Sequence, residues 1–131
     1  MRRVVATVTV LVMACAAAAP GGGAKSRRQQ RLEALGRKIA GAVRAEAADA
    51  SQCRVVPFGA KPCGGPWRYL VYSVGTTDEK KLLAMVEEYN ALERTINREE
   101  GRVSDCASVV PPKVEFAEGT CRARGASEEV R

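Results

Sequence analysis

The sequence predicts a small α+β domain in which one long helix packs on a three- or four-stranded sheet, preceded by a basic amphipathic helix. Residues 76–100 place apolar side chains at helical spacing, whereas other segments are short runs of the branched and aromatic residues typical of strands. The compact part, residues 50–124, is too short to bury a large core, and small extracytoplasmic domains commonly depend on disulfides for that reason. Four cysteines in this part are available for them: Cys53, Cys63, Cys106 and Cys121.

The chain begins with a pattern typical of a signal peptide. Arg2 and Arg3 are followed by a run without charge from Val4 to Ala19. The run is followed by proline and glycines and is shorter than the roughly 20 apolar residues that a membrane-spanning helix needs. We therefore expect residues 1–14 to be a signal peptide and not a permanent transmembrane anchor.

Cys15 is the predicted lipidation site. It ends the stretch LVMAC, which resembles the lipobox of bacterial lipoproteins, where the cysteine thiol takes a diacylglycerol and then becomes the new N-terminus. Removing Cys15 from the five cysteines also leaves an even number for pairing. Because Ala16 is not the aspartate that retains lipoproteins at an inner membrane, we expect an anchor in the outer membrane, facing the periplasm. The alternative is ordinary cleavage within residues 16–19, which would give a secreted or periplasmic protein.

Residues 15–25 contain Pro-Gly-Gly-Gly and are predicted to be a flexible tether, followed by a basic helix over residues 26–49. Ser26 and Gln29 form a capping-box pattern at its start. Its narrow apolar face consists of Leu32, Leu35, Ile39, Ala42 and Val43. Seven basic residues and one acid lie between residues 25 and 44, so the segment is expected to lie against anionic lipid head groups. Nucleic acid is not an expected partner, because the segment lacks interleaved aromatic residues.

The elements of the compact domain can be predicted in chain order. The sequence CRVVPFGAKPCGGP, residues 53–66, is rich in proline and glycine and predicts an ordered loop. WRYLVYSV, residues 67–74, is the clearest strand, and its apolar residues on both faces predict a central position. Thr76 is the predicted cap of the long helix, which ends before Gly101.

Two further features complete the prediction for the compact domain. Val103 to Val110 and two prolines lead to a short hairpin, whose turn is predicted at Glu118-Gly119. The apolar stripe of the long helix consists of Leu82, Met85, Val86, Tyr89, Leu92 and Ile96. Glu93 falls inside this arc and is expected to reach solvent from its edge. Residues 125–131 are predicted to be a disordered tail.

Four cysteines allow three pairings, and we favour the local one, Cys53 with Cys63 and Cys106 with Cys121. Each of these loops would contribute about 3 kcal/mol in the chain-entropy model. A tetrahedral metal site built from all four cysteines is the alternative, but the C-x-x-C spacing that such sites use is absent. We expect no metal and no cofactor.

The residue types do not favour catalysis. The sequence contains no histidine, which excludes Ser-His-Asp and Cys-His arrangements, and we expect no catalytic residue. Most acids are predicted on helix surfaces, and Asp105 is expected to make a local turn hydrogen bond. Trp67 and Tyr69 could stack on a sugar, but a place in the core is the more ordinary expectation for aromatic residues on such a strand.

Two functional hypotheses remain. The first is an envelope-anchored binding or structural module without catalytic activity. The second is an inhibitor of an extracytoplasmic hydrolase, a protease or lysozyme, acting through the 54–66 loop with Phe58 and Lys61 as contact residues. A loop that is constrained by a disulfide loses little conformational entropy when it enters the cleft of another protein. The simpler interpretation is that the same loop only closes the core.

A set of short motifs spans about residues 53–122. They are Cys63-Gly64-Gly65-Pro66, Tyr69-Leu70-Val71-Tyr72-Ser73, Tyr89-Asn90, Ser104-Asp105-Cys106, Pro111-Pro112 and Gly119 before Cys121. Together they resemble a group of small bacterial envelope proteins, which are generally described only as uncharacterised secreted proteins or lipoproteins. The resemblance implies a common fold unit and an extracytoplasmic compartment. It implies no catalytic or binding residue.

Overall fold

The computed structural model describes residues 25–124. The predicted signal peptide, Cys15 and the tail 125–131 lie outside the described residues. The elements, in chain order, are α1 (Arg27–Ala42), a short 3₁₀ helix (Ala50–Gln52), β1 (Cys53–Phe58), β2 (Arg68–Ser73), α2 (Glu79–Glu99), β3 (Lys113–Ala117) and β4 (Thr120–Arg124).

The fold is α+β, but the prediction of one three- or four-stranded sheet was wrong. The strands form two separate antiparallel pairs, β1 with β2 and β3 with β4. Irregular backbone at residues 44–47 joins the two pairs. The Ser73 N–H donates to the Arg44 carbonyl at 2.8 Å, and the Cys121 N–H donates to the Ala45 carbonyl at 2.8 Å. A connecting segment therefore takes the position that a further strand would occupy.

Strand β1 lies inside the segment that was predicted to be a loop. It pairs with β2 from Cys53 opposite Ser73 to Phe58 opposite Arg68. Pro57 is compatible with this strand because β1 has a partner on one side only, and an edge strand tolerates a missing N–H. For the same reason β2, although correctly predicted as a strand, is not the central strand of a larger sheet.

Helix α1 packs into the hydrophobic core. Leu35 and Ile39 are buried in one cluster with residues from both β1 and α2. Arg28 and Arg31 form exposed ion pairs with Glu99 and Glu88 of α2, pairs that contribute at most about 1 kcal/mol each. The apolar face of the predicted basic helix therefore packs against the rest of the fold, and part of its basic charge is neutralised within the fold.

Helix α2 begins later than predicted. Its N-cap is Asp78, whose side chain accepts a hydrogen bond from the Lys81 N–H at 3.1 Å. The Thr76 hydroxyl instead donates to the Glu46 carbonyl at 2.7 Å, which ties the start of α2 to the 44–47 segment. The predicted end is confirmed, since Gly101 follows the helix with a φ of 59°, a conformation that favours glycine.

The C-terminal hairpin is confirmed. Glu118 and Gly119 have φ angles of 52° and 73°, the left-handed pair that a two-residue type I′ turn requires. Before it, residues 102–112 have no regular secondary structure. Val103 and Val110 in this segment are 91% and 77% exposed.

The preferred disulfide pairing was wrong. Cys53 is bonded to Cys121 and Cys63 to Cys106, with Cα–Cα distances of 5.5 and 5.4 Å. The 44–47 segment brings β4 beside the start of β1, so that the nearest partner of Cys53 in space is 68 residues away in the chain. Two disulfides indicate an oxidising, extracytoplasmic compartment. Because all four cysteines are in disulfides, none of them is free to serve as a ligand of the alternative metal site.

None of the helices within residues 25–124 is both long enough and apolar enough to cross a membrane.

We expect the folded state to lose stability at high pH, where Tyr72 loses its proton. Burial, and then the hydrogen bond that its hydroxyl donates to Glu79 at 2.8 Å, raises the pKa of Tyr72 from 10.0 to about 12. The folded state thus holds this proton more tightly than the unfolded chain does. Its contribution is complete below about pH 10 and is lost as the pH rises towards 12. Denaturant titrations at several pH values should show this fall.

The control is spectroscopic. In the ultraviolet titration of tyrosinate, Tyr72→Phe should remove a late transition, whereas Tyr69→Phe should leave that transition in place. A Tyr72→Phe protein whose titration curve matches that of the wild type at its high-pH end would contradict the assignment.

Candidate functional site

Polar side chains of α2 hold the loop between β1 and β2, residues 59–67, by its backbone. The Gly59 N–H donates to Asn90 Oδ1 at 2.7 Å, and the Ala60 N–H donates to Glu93 Oε2 at 2.6 Å. Asn97 Nδ2 in turn donates to the Ala60 carbonyl at 2.7 Å. These three side chains lie at i, i+3 and i+7, on one face of the helix. They satisfy backbone groups that would otherwise be buried without partners.

Glu93 was expected to reach solvent from the edge of the apolar stripe. Its side chain is instead buried, and only 8% of the residue is exposed. Its negative charge also contributes, after burial, to raising the pKa of the neighbouring Tyr89. The signal for this role was present in the sequence. Asn90, Glu93 and Asn97 interrupt an otherwise apolar stripe at helical spacing, and polar residues in such places need buried partners.

The two predicted contact residues, Phe58 and Lys61, are both buried, at 8% and 7% exposure. Phe58 stacks on Tyr89 with ring centroids 4.5 Å apart. Lys61 Nζ donates to Asp105 Oδ1 at 2.8 Å and to the Ala107 carbonyl at 2.9 Å. Neither side chain is presented to a partner in this structure. Phe58 belongs to the hydrophobic core, whereas Lys61 ties the loop to the segment after α2.

Asp105 is not confined to the local turn that was expected, because its carboxylate accepts the hydrogen bond from Lys61, 44 residues earlier. The hydrogen bond and charge of Lys61 hold the pKa of Asp105 below its usual range. The Cys63–Cys106 disulfide joins the same two segments. The loop and the segment after α2 are thus connected by one covalent and one ionic link.

Trp67 lies at the end of the loop and is 44% exposed. Its ring contacts Gly59, where an added Cβ would lie 2.6 Å from Trp67 Cδ1, and Gly59 has a φ of 82°. The Lys61 ammonium lies 5.3 Å from the centroid of the same ring, within cation–π range. Trp67 is therefore not a core residue, although one side of its ring packs on the loop.

A cavity of about 440 Å³ lies between this loop and the C-terminal end of α2. We call it the basic pocket. Its walls include Lys61 and Gly64 from the loop and Arg94, Asn97, Arg98 and Arg102 from α2 and the residues after it.

The fold neutralises only part of the positive charge that lines the basic pocket, because Lys61 is paired with Asp105 and Arg102 with Glu100. The carboxylates of Glu88 and Glu99 are engaged with arginines of α1, and Glu100 accepts a hydrogen bond from Arg102 Nε at 2.8 Å. Within residues 25–124, Arg94 and Arg98 form no ion pair. Guanidinium groups remain charged at any physiological pH and donate up to five hydrogen bonds each. The pocket is therefore suited to binding an anion, and guanidinium groups are not acids or bases at neutral pH.

The disulfide at the edge of the pocket should be reduced before the other one. Cys63 and Cys106 are both exposed, whereas Cys121 in the second disulfide is 3% exposed. A small thiol reagent reaches the first bond more readily while the protein is folded, because both of its cysteines are exposed and Cys53 of the second bond is only partly so. Under native conditions we expect alkylation at Cys63 and Cys106 first, read by peptide mass spectrometry. Alkylation of all four cysteines at the same rate would contradict this prediction.

Among the described residues, no group of three or more cysteines, aspartates and glutamates is placed to hold a metal ion. Comparison of the chain with protein-family models, with curated proteins and with solved structures gives no significant match.

Proposed function

We propose that this protein is a binding module of the bacterial cell envelope, without catalytic activity, held to the outer membrane by a lipid on Cys15. The observation that carries the proposal is the basic pocket, a concave site whose polar side chains bind charge but do not transfer protons. In this role the compact unit presents the pocket to a partner or ligand in the periplasm.

The rigidity of the pocket supports a role in binding. The loop that forms one wall is held by three hydrogen bonds from α2, and it is joined to the segment after α2 by the Cys63–Cys106 disulfide. A preformed site loses little conformational entropy on binding, so more of the interaction energy appears as affinity. A purely structural module would have no need of unpaired charge in a cavity.

The proposed anchor rests on the N-terminal sequence. LVMAC resembles a lipobox, and the Gly-rich residues that follow Cys15 provide a tether to the folded unit. Helix α1 would then lie close to the membrane. Arg27, Arg37 and Lys38 of this helix are exposed and would face anionic head groups, each contributing about 1 kcal/mol near such a surface.

Membrane fractionation tests the anchor. The native protein is expected in the membrane fraction, with an intact mass that corresponds to cleavage before Cys15 plus lipid. Cys15→Ser should move it to the soluble fraction, whereas Ala16→Ser should leave it in the membrane. Native protein that is soluble and carries no lipid would overturn the anchored part of the proposal.

Inhibition of a protease or lysozyme through the 54–66 loop is the second candidate. The observation that favours it is the rigid, exposed end of the loop, from Cys63 to Trp67, whereas Phe58 and Lys61 are buried. We expect Trp67→Ala to abolish inhibition and Leu83→Ala, which removes an exposed apolar group on α2, to preserve it. The idea fails if the purified protein, at high micromolar concentration, inhibits no enzyme in a panel of proteases and lysozymes.

A further inference from the structure

We propose that the basic pocket binds a phosphate group carried on a larger molecule, such as a phospholipid head group or a soluble phosphate ester. This inference rests on the proposed binding function and names the chemical class of its ligand. It does not depend on the lipid anchor.

The distribution of charge along α2 indicates an anionic ligand. Arg94 and Arg98 lie at i and i+4, where two like charges destabilise a helix by a few tenths of a kcal/mol. Arg102 adds a third guanidinium group to the same cavity. Glu88 and Glu99 pair with arginines of α1, and Glu100 pairs with Arg102, so these acids do not offset the charge of Arg94 and Arg98. The arrangement is unfavourable until an anion enters the pocket.

The number and geometry of the donors favour phosphate over carboxylate. A guanidinium group presents paired N–H donors that match two oxygens of a phosphate or carboxylate. A carboxylate has two oxygens in one plane and is saturated by one or two such groups. A phosphate group offers oxygens in a tetrahedral arrangement and can accept hydrogen bonds from more guanidinium groups than a carboxylate can, and three arginines, Arg94, Arg98 and Arg102, line the pocket.

The size of the cavity indicates that the phosphate belongs to a larger molecule. A volume of about 440 Å³ falls in the range of roughly 300 to 1,000 Å³ that is typical of small-molecule sites. An isolated phosphate ion would fill only a small part of it. Pro62 and the aliphatic stems of the arginines provide apolar contact for the rest of the ligand.

Calorimetric titration tests the proposal with the full-length chain carrying Cys15→Ser and both disulfides formed. The probes are inorganic phosphate, glycerol 3-phosphate and sodium acetate. We expect saturable binding of glycerol 3-phosphate, weaker binding of phosphate and none of acetate. The variant Arg94→Gln/Arg98→Gln should lower the affinity at least about tenfold per guanidinium removed, which corresponds to about 1.4 kcal/mol each.

A matched control separates the pocket from general charge attraction. Lys80→Gln/Lys81→Gln removes two exposed positive charges from the same helix, away from the pocket, and should leave the affinity unchanged. The proposal is overturned if the wild-type chain binds neither phosphate probe at millimolar concentration, if acetate binds as well as glycerol 3-phosphate, or if both double variants weaken binding equally.

Vesicles identify the source of the phosphate. Retention of the lipid-free chain on phosphatidylglycerol vesicles but not on phosphatidylcholine vesicles, reversed by glycerol 3-phosphate, assigns a lipid head group. Binding of glycerol 3-phosphate without vesicle retention assigns a soluble ester. Both results support the pocket, and neither depends on the fractionation of the Cys15 variant, so the two proposals can fail separately.

Discussion

Replacing Cys53 and Cys121 together by alanine should lower the free energy of unfolding by about 4 kcal/mol. The bond closes a loop of 68 residues, and in the chain-entropy model a loop of this length constrains the unfolded chain by about that amount. Small domains have total stabilities of only about 5 to 15 kcal/mol, so this loss removes between about a quarter and most of the total. Chemical denaturation followed by circular dichroism measures the effect.

The matched variant is Cys63→Ala/Cys106→Ala, which opens a loop of 43 residues. The chain-entropy contribution is nearly the same, because it depends only on the logarithm of loop length. This variant removes exposed cysteines, however, whereas Cys121 is buried. It should therefore lower the free energy of unfolding somewhat less than Cys53→Ala/Cys121→Ala does. Disulfide-linked peptides joining Cys53 to Cys63 would contradict the pairing on which both expectations depend.

The sequence was sufficient for the elements whose signals are local. The β2 strand and the Glu118-Gly119 turn follow from residue type and spacing within a few positions. The capping box of α1 is also as predicted, with the Gln29 N–H donating to Ser26 Oγ at 3.1 Å. In each case the residues that determine the structure are neighbours in the chain.

Features determined by distant contacts were not predicted correctly. The Cys53–Cys121 bond depends on the crossing of residues 44–47 between the two strand pairs, and nothing near Cys53 encodes that crossing. Favouring short loops is reasonable when four cysteines allow three pairings, but here it led to the wrong disulfide partners. Similarly, Pro57 made β1 resemble a loop, because a proline excludes a central strand but not an edge strand.

The basic pocket was missed for a related reason. Arg94, Arg98 and Arg102 are unremarkable as individual surface residues, and the sequence does not show that the carboxylates of α2 are directed to α1. The pocket also needs residues 61–64 of the loop as its second wall, and the loop lies about 30 residues earlier in the chain than the arginines. The hydrogen bonds that Asn90, Glu93 and Asn97 make with the loop were easier to predict, since Glu93 within an apolar stripe is a local anomaly that calls for a buried partner.

Glu93→Ala should lower the free energy of unfolding by about 2 to 3 kcal/mol, because hydrogen bonds to charged groups contribute about 1.5 to 3 kcal/mol and the Ala60 N–H would lose its acceptor. Glu93→Gln keeps an oxygen at that position and should cost less. Glu87→Ala removes an exposed carboxylate from the same helix and should change stability by no more than about 0.5 kcal/mol. Hydrogen exchange adds a local readout, since the amides of Gly59 and Ala60 should exchange faster in the alanine variant. If Glu87→Ala and Glu93→Ala lowered the free energy of unfolding equally, the negative charge of α2 would stabilise this side of the fold, and not the hydrogen bond from the loop to Glu93.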